Sequence, residues 1–271
     1  MLFQSLRLTG TKKRFAAMHR GVRESNLQRL REFGVDLVPN EPLDIPLLSS
    51  DQDMEERDQK LMSKLRVWEL VQYSKVVQMD SDMVVLHNVD ELFRMPEISA
   101  TPMSDNDEKI LFFERGGTRL TDFVRLDPND NRALLPGWSG LNSGVVVLEP
   151  SLQTFAELMK ELAAYPRRVC CPSQEFLYNF FERRNRYYRL PLVYNTRRIG
   201  NLGDARTSQL LTANAKVYHF VHQVKPWATP PENRTLDFVD AWWALSLQVD
   251  NALRRAGLGI VETEPDAIRR T

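Results

Sequence analysis

Asp80 and Asp82 are separated by a single serine and lie between two apolar runs, Lys75-Val76-Val77-Gln78-Met79 before them and Met83-Val84-Val85-Leu86 after. Alternate residues of an extended segment point the same way, so two carboxylates at this spacing can reach one ion together. Hard oxygen donors of this kind suit Mg²⁺ or Mn²⁺ and the phosphate oxygens such a cation carries. A D-x-D triplet alone is a weak signal, because such triplets are common in surface turns. The flanking apolar runs raise its weight, since they place the carboxylates at the end of a buried strand. His219 closes a third run, Lys216-Val217-Tyr218-His219, and could offer an imidazole to a metal; taken alone, such a histidine is more often a satisfied buried side chain. Lys225 is a point charge suited to phosphate, and in isolation it reads as a solvated surface charge. Cys170 and Cys171 are the only cysteines, and no further Cys or nearby His completes a ligand set around them.

Helical and extended patterns alternate along the chain that must position these residues. Met1 to Leu8 reads as the tail of a helix stopped at Gly10, and Arg14 to Met18 as a short strand. Arg23 to Phe33 has Leu27, Leu30 and Phe33 on one stripe and ends at Gly34, with a strand over Val35 to Val38. Leu61 to Val71 predicts a strong helix, because Leu61, Leu65, Trp68 and Val71 recur every three or four residues. From Met95 to Ser139, Pro, Asp, Asn and Gly interrupt short apolar runs, which predicts an irregular excursion with a strand or two. Regular structure resumes at Asn142-Ser143-Gly144-Val145-Val146-Val147-Leu148, a buried strand followed by a helix from about Ser151. Pro172-Ser173-Gln174-Glu175 opens another helix with Phe176, Leu177, Phe180 and Phe181 on its apolar face. This alternation argues for a largely parallel sheet covered by helices, in which ligands bind beyond the carboxyl ends of the strands.

The chain has 271 residues, 42% of them hydrophobic and 27% charged, and its 36 basic and 36 acidic side chains cancel. That balance gives no reason to expect nucleic acid or an anionic membrane as a partner, so any anion site must be local. No apolar stretch approaches the ~18 residues of a membrane span and no signal-peptide core is visible, which makes a cytoplasmic protein the default expectation.

Taken together, Lys64 through Lys75, Met79-Asp80-Ser81-Asp82, Asn88 through Phe93, Leu141-Asn142-Ser143-Gly144, Ser173 through Leu177 and His219 through Trp227 stand in the order and spacing of glycosyltransferase family 8. The chain resembles its glycogenin and galactinol-synthase-like branch. The resemblance implies a GT-A fold, an α/β arrangement with a Rossmann-like, mostly parallel mixed sheet flanked by helices. It also implies a UDP-sugar donor, a divalent cation (usually Mn²⁺, or Mg²⁺), a carbohydrate, polyol or protein acceptor, and hexosyl transfer with retention. Carried onto this chain, the metal ligands are Asp80, Asp82 and His219. Lys225 contacts the diphosphate, and Lys64 reaches the donor sugar and phosphate. Asn142, Ser143 and Gln174 surround the sugar ring, and Ser81 and His222 join the donor-binding set. Lys64, Ser173 and Gln174 are the expected catalytic positions, and a homodimer is among the expected assemblies.

Three positions depart from the family pattern. Ser173 stands where the family has an aspartate beside the reacting sugar, and serine supplies no negative charge there. Cys170 stands at a second family aspartate, and His222 at a glycine that lets backbone approach the diphosphate. The chain also begins inside the family's first helix, so the expected sheet lacks the usual first strand and the uracil edge of the nucleotide pocket. The expected organisation is a GT-A domain over residues 1–235 and a helical extension over 236–271, its helix running from Leu236 to Arg255 with Trp242 and Trp243 packed onto the sheet. The departures keep a second reading open, a weak or inactive member acting as a nucleotide-, sugar- or protein-binding module. A nucleotidyltransferase on a similar sheet is disfavoured by the joint His219 and Lys225 match and by the absence of a glycine-rich nucleotide loop.

Overall fold

A computed structural model describes residues 1–43, 61–102, 140–164, 172–197, 205–221, 225–228, 239 and 242–248. The first elements follow the sequence closely: helix α1 (Leu2–Leu8), strand β1 (Phe15–His19), helix α2 (Glu24–Glu32) and strand β2 (Val35–Pro39). Gly34 closes α2 at φ +80°, a backbone conformation that glycine adopts without strain. β1 and β2 pair in parallel, as a strand-helix-strand unit requires.

Within the predicted helix over Leu61 to Val71, Leu61 and Met62 are α-helical and Ser63–Glu69 form a 3₁₀ segment. Apolar residues three apart serve either helix, because positions i and i+3 eclipse in the tighter coil. Leu65 and Trp68 are fully buried, whereas Val71, expected on the same face, is exposed. The Trp68 indole N–H donates to buried Glu97 at 2.6 Å, which fixes the ring in the core.

The sheet that carries the site is mixed. β3 (Val76–Met79), β6 (Leu141–Leu148), β5 (Ser99–Pro102) and β7 (Tyr188–Arg189) lie side by side in that order. β6 runs antiparallel to both β3 and β5, and β5 runs parallel to β7. A separate antiparallel pair joins β4 (Met83–Val85) to β8 (Val217–His219). The strands next to the site are therefore antiparallel, a direction that helix-strand alternation in the sequence does not reveal.

β6 explains why residues 145–148 are apolar without alternation. Val145 and Val147 join one core with Met83, Val85 and Val217, and Val146 and Leu148 join another with Leu65, Trp68, Phe176 and Phe180. A strand buried on both faces needs apolar residues at every position. Helix α3 (Leu152–Ala163) begins at Ser151, whose Oγ accepts the Thr154 N–H at 3.2 Å, and helix α4 (Pro172–Glu182) buries Phe176, Phe180 and Phe181. Helix α5 (Ala205–Asn214) precedes β8. Among the described residues, no helix is long and apolar enough to cross a membrane.

Candidate metal and donor site

The two aspartates stand where the chain passes from one sheet to the other. The Asp80 N–H donates to Gly144 O at 2.9 Å, extending the β3–β6 ladder by one residue. On the other side Met83 is the register partner of His219, and the Phe220 N–H donates to Asp82 O at 3.0 Å. Ser81 is the exposed residue between them. Asp80, Asp82 and His219 thus converge by ladder register from strands remote in sequence, and one ligand atom of each lies within 4.8 Å of the other two. His219 Nε2 is 3.2 Å from Asp82 and 3.8 Å from Asp80.

Two lysines complete the cluster. Lys64, on the 3₁₀ segment, contacts Asp80 at 2.5 Å, and Lys225 contacts Asp82 at 2.7 Å while donating to Phe220 O at 2.6 Å. Burial raises the affinity of Asp82 for a proton, but the hydrogen bonds and charges of His219 and Lys225 outweigh it and hold the carboxyl well below the usual carboxylate range. The group stays ionised, as a cation ligand must.

Four of the remaining expected residues, Asn142, Ser143, Ser173 and Gln174, lie among the described residues. Gln174, in the first turn of α4, accepts the Ser143 N–H at 2.9 Å, and so ties the helix start to β6. Ser173 is buried beside it. Asn142 Oδ1 accepts the Gly144 N–H at 3.0 Å. His222, Cys170 and Cys171 lie outside the described residues.

Two features of the site have roles that the sequence does not show. Asn195, buried after a 3₁₀ turn at Leu192–Tyr194, contacts His219 Nδ1 at 2.9 Å, Asn142 at 2.6 Å and Thr101 at 3.1 Å. It reaches His219 because Thr196 pairs with β8, exchanging backbone bonds with Val217 and His219. A short polar segment running alongside a strand is invisible to periodicity. The second feature is Gly144, where an added Cβ would lie 2.6 Å from the His219 ring and 2.7 Å from the Met83 methyl. The sequence reads this glycine as part of a strand and gives no sign that a ring is pressed against it.

The profile of Glycosyl transferase family 8 matches residues 2–230. The chain belongs to that family. It is 30% identical over 200 residues to glycogenin-1 of Oryctolagus cuniculus, an alignment covering 67% of this chain and 50% of the relative. It is 25% identical over 224 residues to galactinol synthase 1 of Arabidopsis thaliana, covering 76% and 61% of the two chains. The family 8 chain therefore spans about half the length of the glycogenin it matches. Among solved structures, the bifunctional glycosyltransferase WbbM superposes with a TM-score of 0.60 at 20% identity, covering 90% of this chain and 46% of that one. This likeness establishes the GT-A fold.

Proposed function

We propose that this family 8 member transfers a hexosyl group from a UDP-sugar to a hydroxyl acceptor, with retention at the anomeric carbon and dependence on a divalent cation. The observation that carries the reading is the convergence of Asp80, Asp82 and His219 within 4.8 Å, each carboxylate also touched by a lysine. Two carboxylates and an imidazole are a donor set that fits Mn²⁺ or Mg²⁺. Such a cation, held by these three side chains, would supply Lewis-acid neutralisation of the diphosphate.

The chain's own residues account for the rest. Lys225 exchanges its contact with Asp82 for the diphosphate, adding positive charge where negative charge develops as UDP departs. Lys64 turns in the same way from Asp80 toward donor oxygens. In the transfer, the bond between the anomeric carbon and the β-phosphate oxygen breaks with its electron pair leaving on UDP. The acceptor oxygen bonds to that carbon on the same face, and its proton passes to the departing phosphate. Gln174, its carbonyl oxygen engaged by Ser143 N–H, keeps its NH₂ for sugar hydroxyls.

The test is a panel of UDP-sugars with Mn²⁺, following UDP release, together with calorimetry on Asp82→Asn. The substitution is expected to abolish Mn²⁺-dependent UDP binding while leaving the thermal transition in place; unchanged UDP affinity would remove the site assignment. Ser173, in place of the family carboxylate, favours a second reading as a binding module. UDP binding that requires Mn²⁺ but brings no turnover with any donor would select it.

A further inference from the structure

Asn195 is 1% exposed, and its hydrogen bonds can be oriented without ambiguity. Asn142 Oδ1 lies 3.0 Å from the Gly144 N–H, and a backbone N–H can only donate, so the Asn142 atom at that place is its carbonyl oxygen. Asn195 approaches the same oxygen at 2.6 Å, and the group it presents must be its NH₂. The second proton of that NH₂ points to Thr101 Oγ1 at 3.1 Å. The Asn195 carbonyl oxygen is thereby left facing His219 Nδ1 at 2.9 Å, and an acceptor there requires a proton on Nδ1. The nitrogen left to vary is Nε2, the one turned to Asp80 and Asp82. Gly144 presses on the ring at Nδ1 and Cε1, which resists a flip that would exchange the two nitrogens.

Building on the cation site proposed above, we propose that Asn195 is the positioning residue of that site, fixing the His219 ring with Nδ1–H toward Asn195 and Nε2 toward the two aspartates, so that loss of the Nε2 proton leaves a ligand lone pair there. An imidazole free to change tautomer would spend part of its time with a proton where a ligand lone pair is needed. Outer-sphere partners of a ligand histidine hold both tautomer and orientation in this way.

The tautomer can be read without any metal, by ¹⁵N NMR of the histidine-labelled full chain, with the His219 signals assigned by their loss in His219→Asn. The uncharged ring of the wild type is expected as the Nδ1–H tautomer. Asn195→Leu, close in volume but unable to accept, should lose that tautomer and weaken Mn²⁺ binding about 10- to 100-fold, read by electron paramagnetic resonance of free Mn²⁺. An uncharged wild-type ring with its proton on Nε2 and none on Nδ1 would overturn the assignment, and so would an Asn195→Leu chain with tautomer and Mn²⁺ affinity intact. If Asn195→Leu fails to fold, the wild-type tautomer decides by itself. A wild type with the Nδ1–H tautomer but no Mn²⁺ binding would instead overturn the cation reading, and with it the ligand role.

Discussion

Asp82 has both carboxylate oxygens engaged, one by His219 at 3.2 Å and the other by Lys225 at 2.7 Å, and Asp80 is held by Lys64. The two lysines stand in for the positive charge that the carboxylates are arranged to meet. Gly144 is the residue on which this arrangement depends most directly through shape. In Gly144→Ala the new methyl would meet the His219 ring at 2.6 Å, so the ring must leave its place beside the aspartates. Overpacking of a close-fitted interior costs about 1–3 kcal/mol. We expect a lowered melting temperature and at least about a tenfold loss of Mn²⁺-dependent UDP affinity, comparable to the loss of a ligand's support. An unchanged affinity in calorimetry would mean that His219 is not a ligand. Asp80, Asp82 and His219 were singled out in the sequence by their flanking apolar runs and by the family resemblance together, and the structure brings the three side chains to one place. Asn195 was not singled out, since an isolated polar residue after a turn has no pattern, and its meaning comes only from the strand it lies against.

At the scale of elements, sequence periodicity located the strands that carry Asp80, Asp82 and His219 but missed helix α5 and strand β7, and it could not give strand direction or register. Both matter here, because the register Met83↔His219 is what brings the imidazole to the aspartates. The 3₁₀ form of Ser63–Glu69 was also hidden, since the spacing of Leu65 and Trp68 fits either helix. A second 3₁₀ segment, Asp90–Arg94, follows β4 and is tied to β8 through Glu91, which accepts from Tyr194 Oη at 2.8 Å and pairs with Lys216. Burial works to raise the Glu91 pKa, but the Lys216 and Tyr194 hydrogen bonds and the Lys216 charge prevail, and it lies below its ordinary value. With the folded value depressed, the unfolded chain takes up this proton first as pH falls. The contribution is present above the ordinary glutamate value of about 4.3 and is lost as pH falls through it toward the folded value. Glu91→Gln should therefore be less stable than the wild type near neutral pH and approach it in acid. Urea midpoints measured from about pH 7 down to about pH 3.5 give the comparison, and parallel curves for the two proteins would exclude Glu91 as the source of acid sensitivity.

The whole molecule sets the remaining condition on the site, because the β4–β8 pair must be covered on both faces. Met83, Val85 and Val217 face one core, while Val84 and Tyr218, partners in the same ladder, face Phe220, Val239 and Trp242. Val239 and Trp242 thus cover the outer face of the strands that lead to Asp82 and His219, and the Trp243 indole N–H donates to Pro226 O at 3.0 Å, one residue beyond Lys225. The sequence division into residues 1–235 and 236–271 marks a change of pattern; we propose that it is not a boundary of cooperative folding. Trp242 is the residue through which to test this, since it is buried against Val84 and Tyr218 and packs tilted against Trp227 with ring centroids 5.8 Å apart. Replacing a buried tryptophan with alanine costs about 3–5 kcal/mol where the cavity cannot collapse. Trp242→Ala should lower stability by about that amount in one unfolding transition that still includes the whole chain. It should also weaken Mn²⁺-dependent UDP binding, although Trp242 touches neither carboxylate nor lysine, because the ladder under His219 loosens. Two separate transitions in calorimetry, with nucleotide affinity preserved through the first, would show that the C-terminal segment folds independently and leaves the β4–β8 pair undisturbed when it melts.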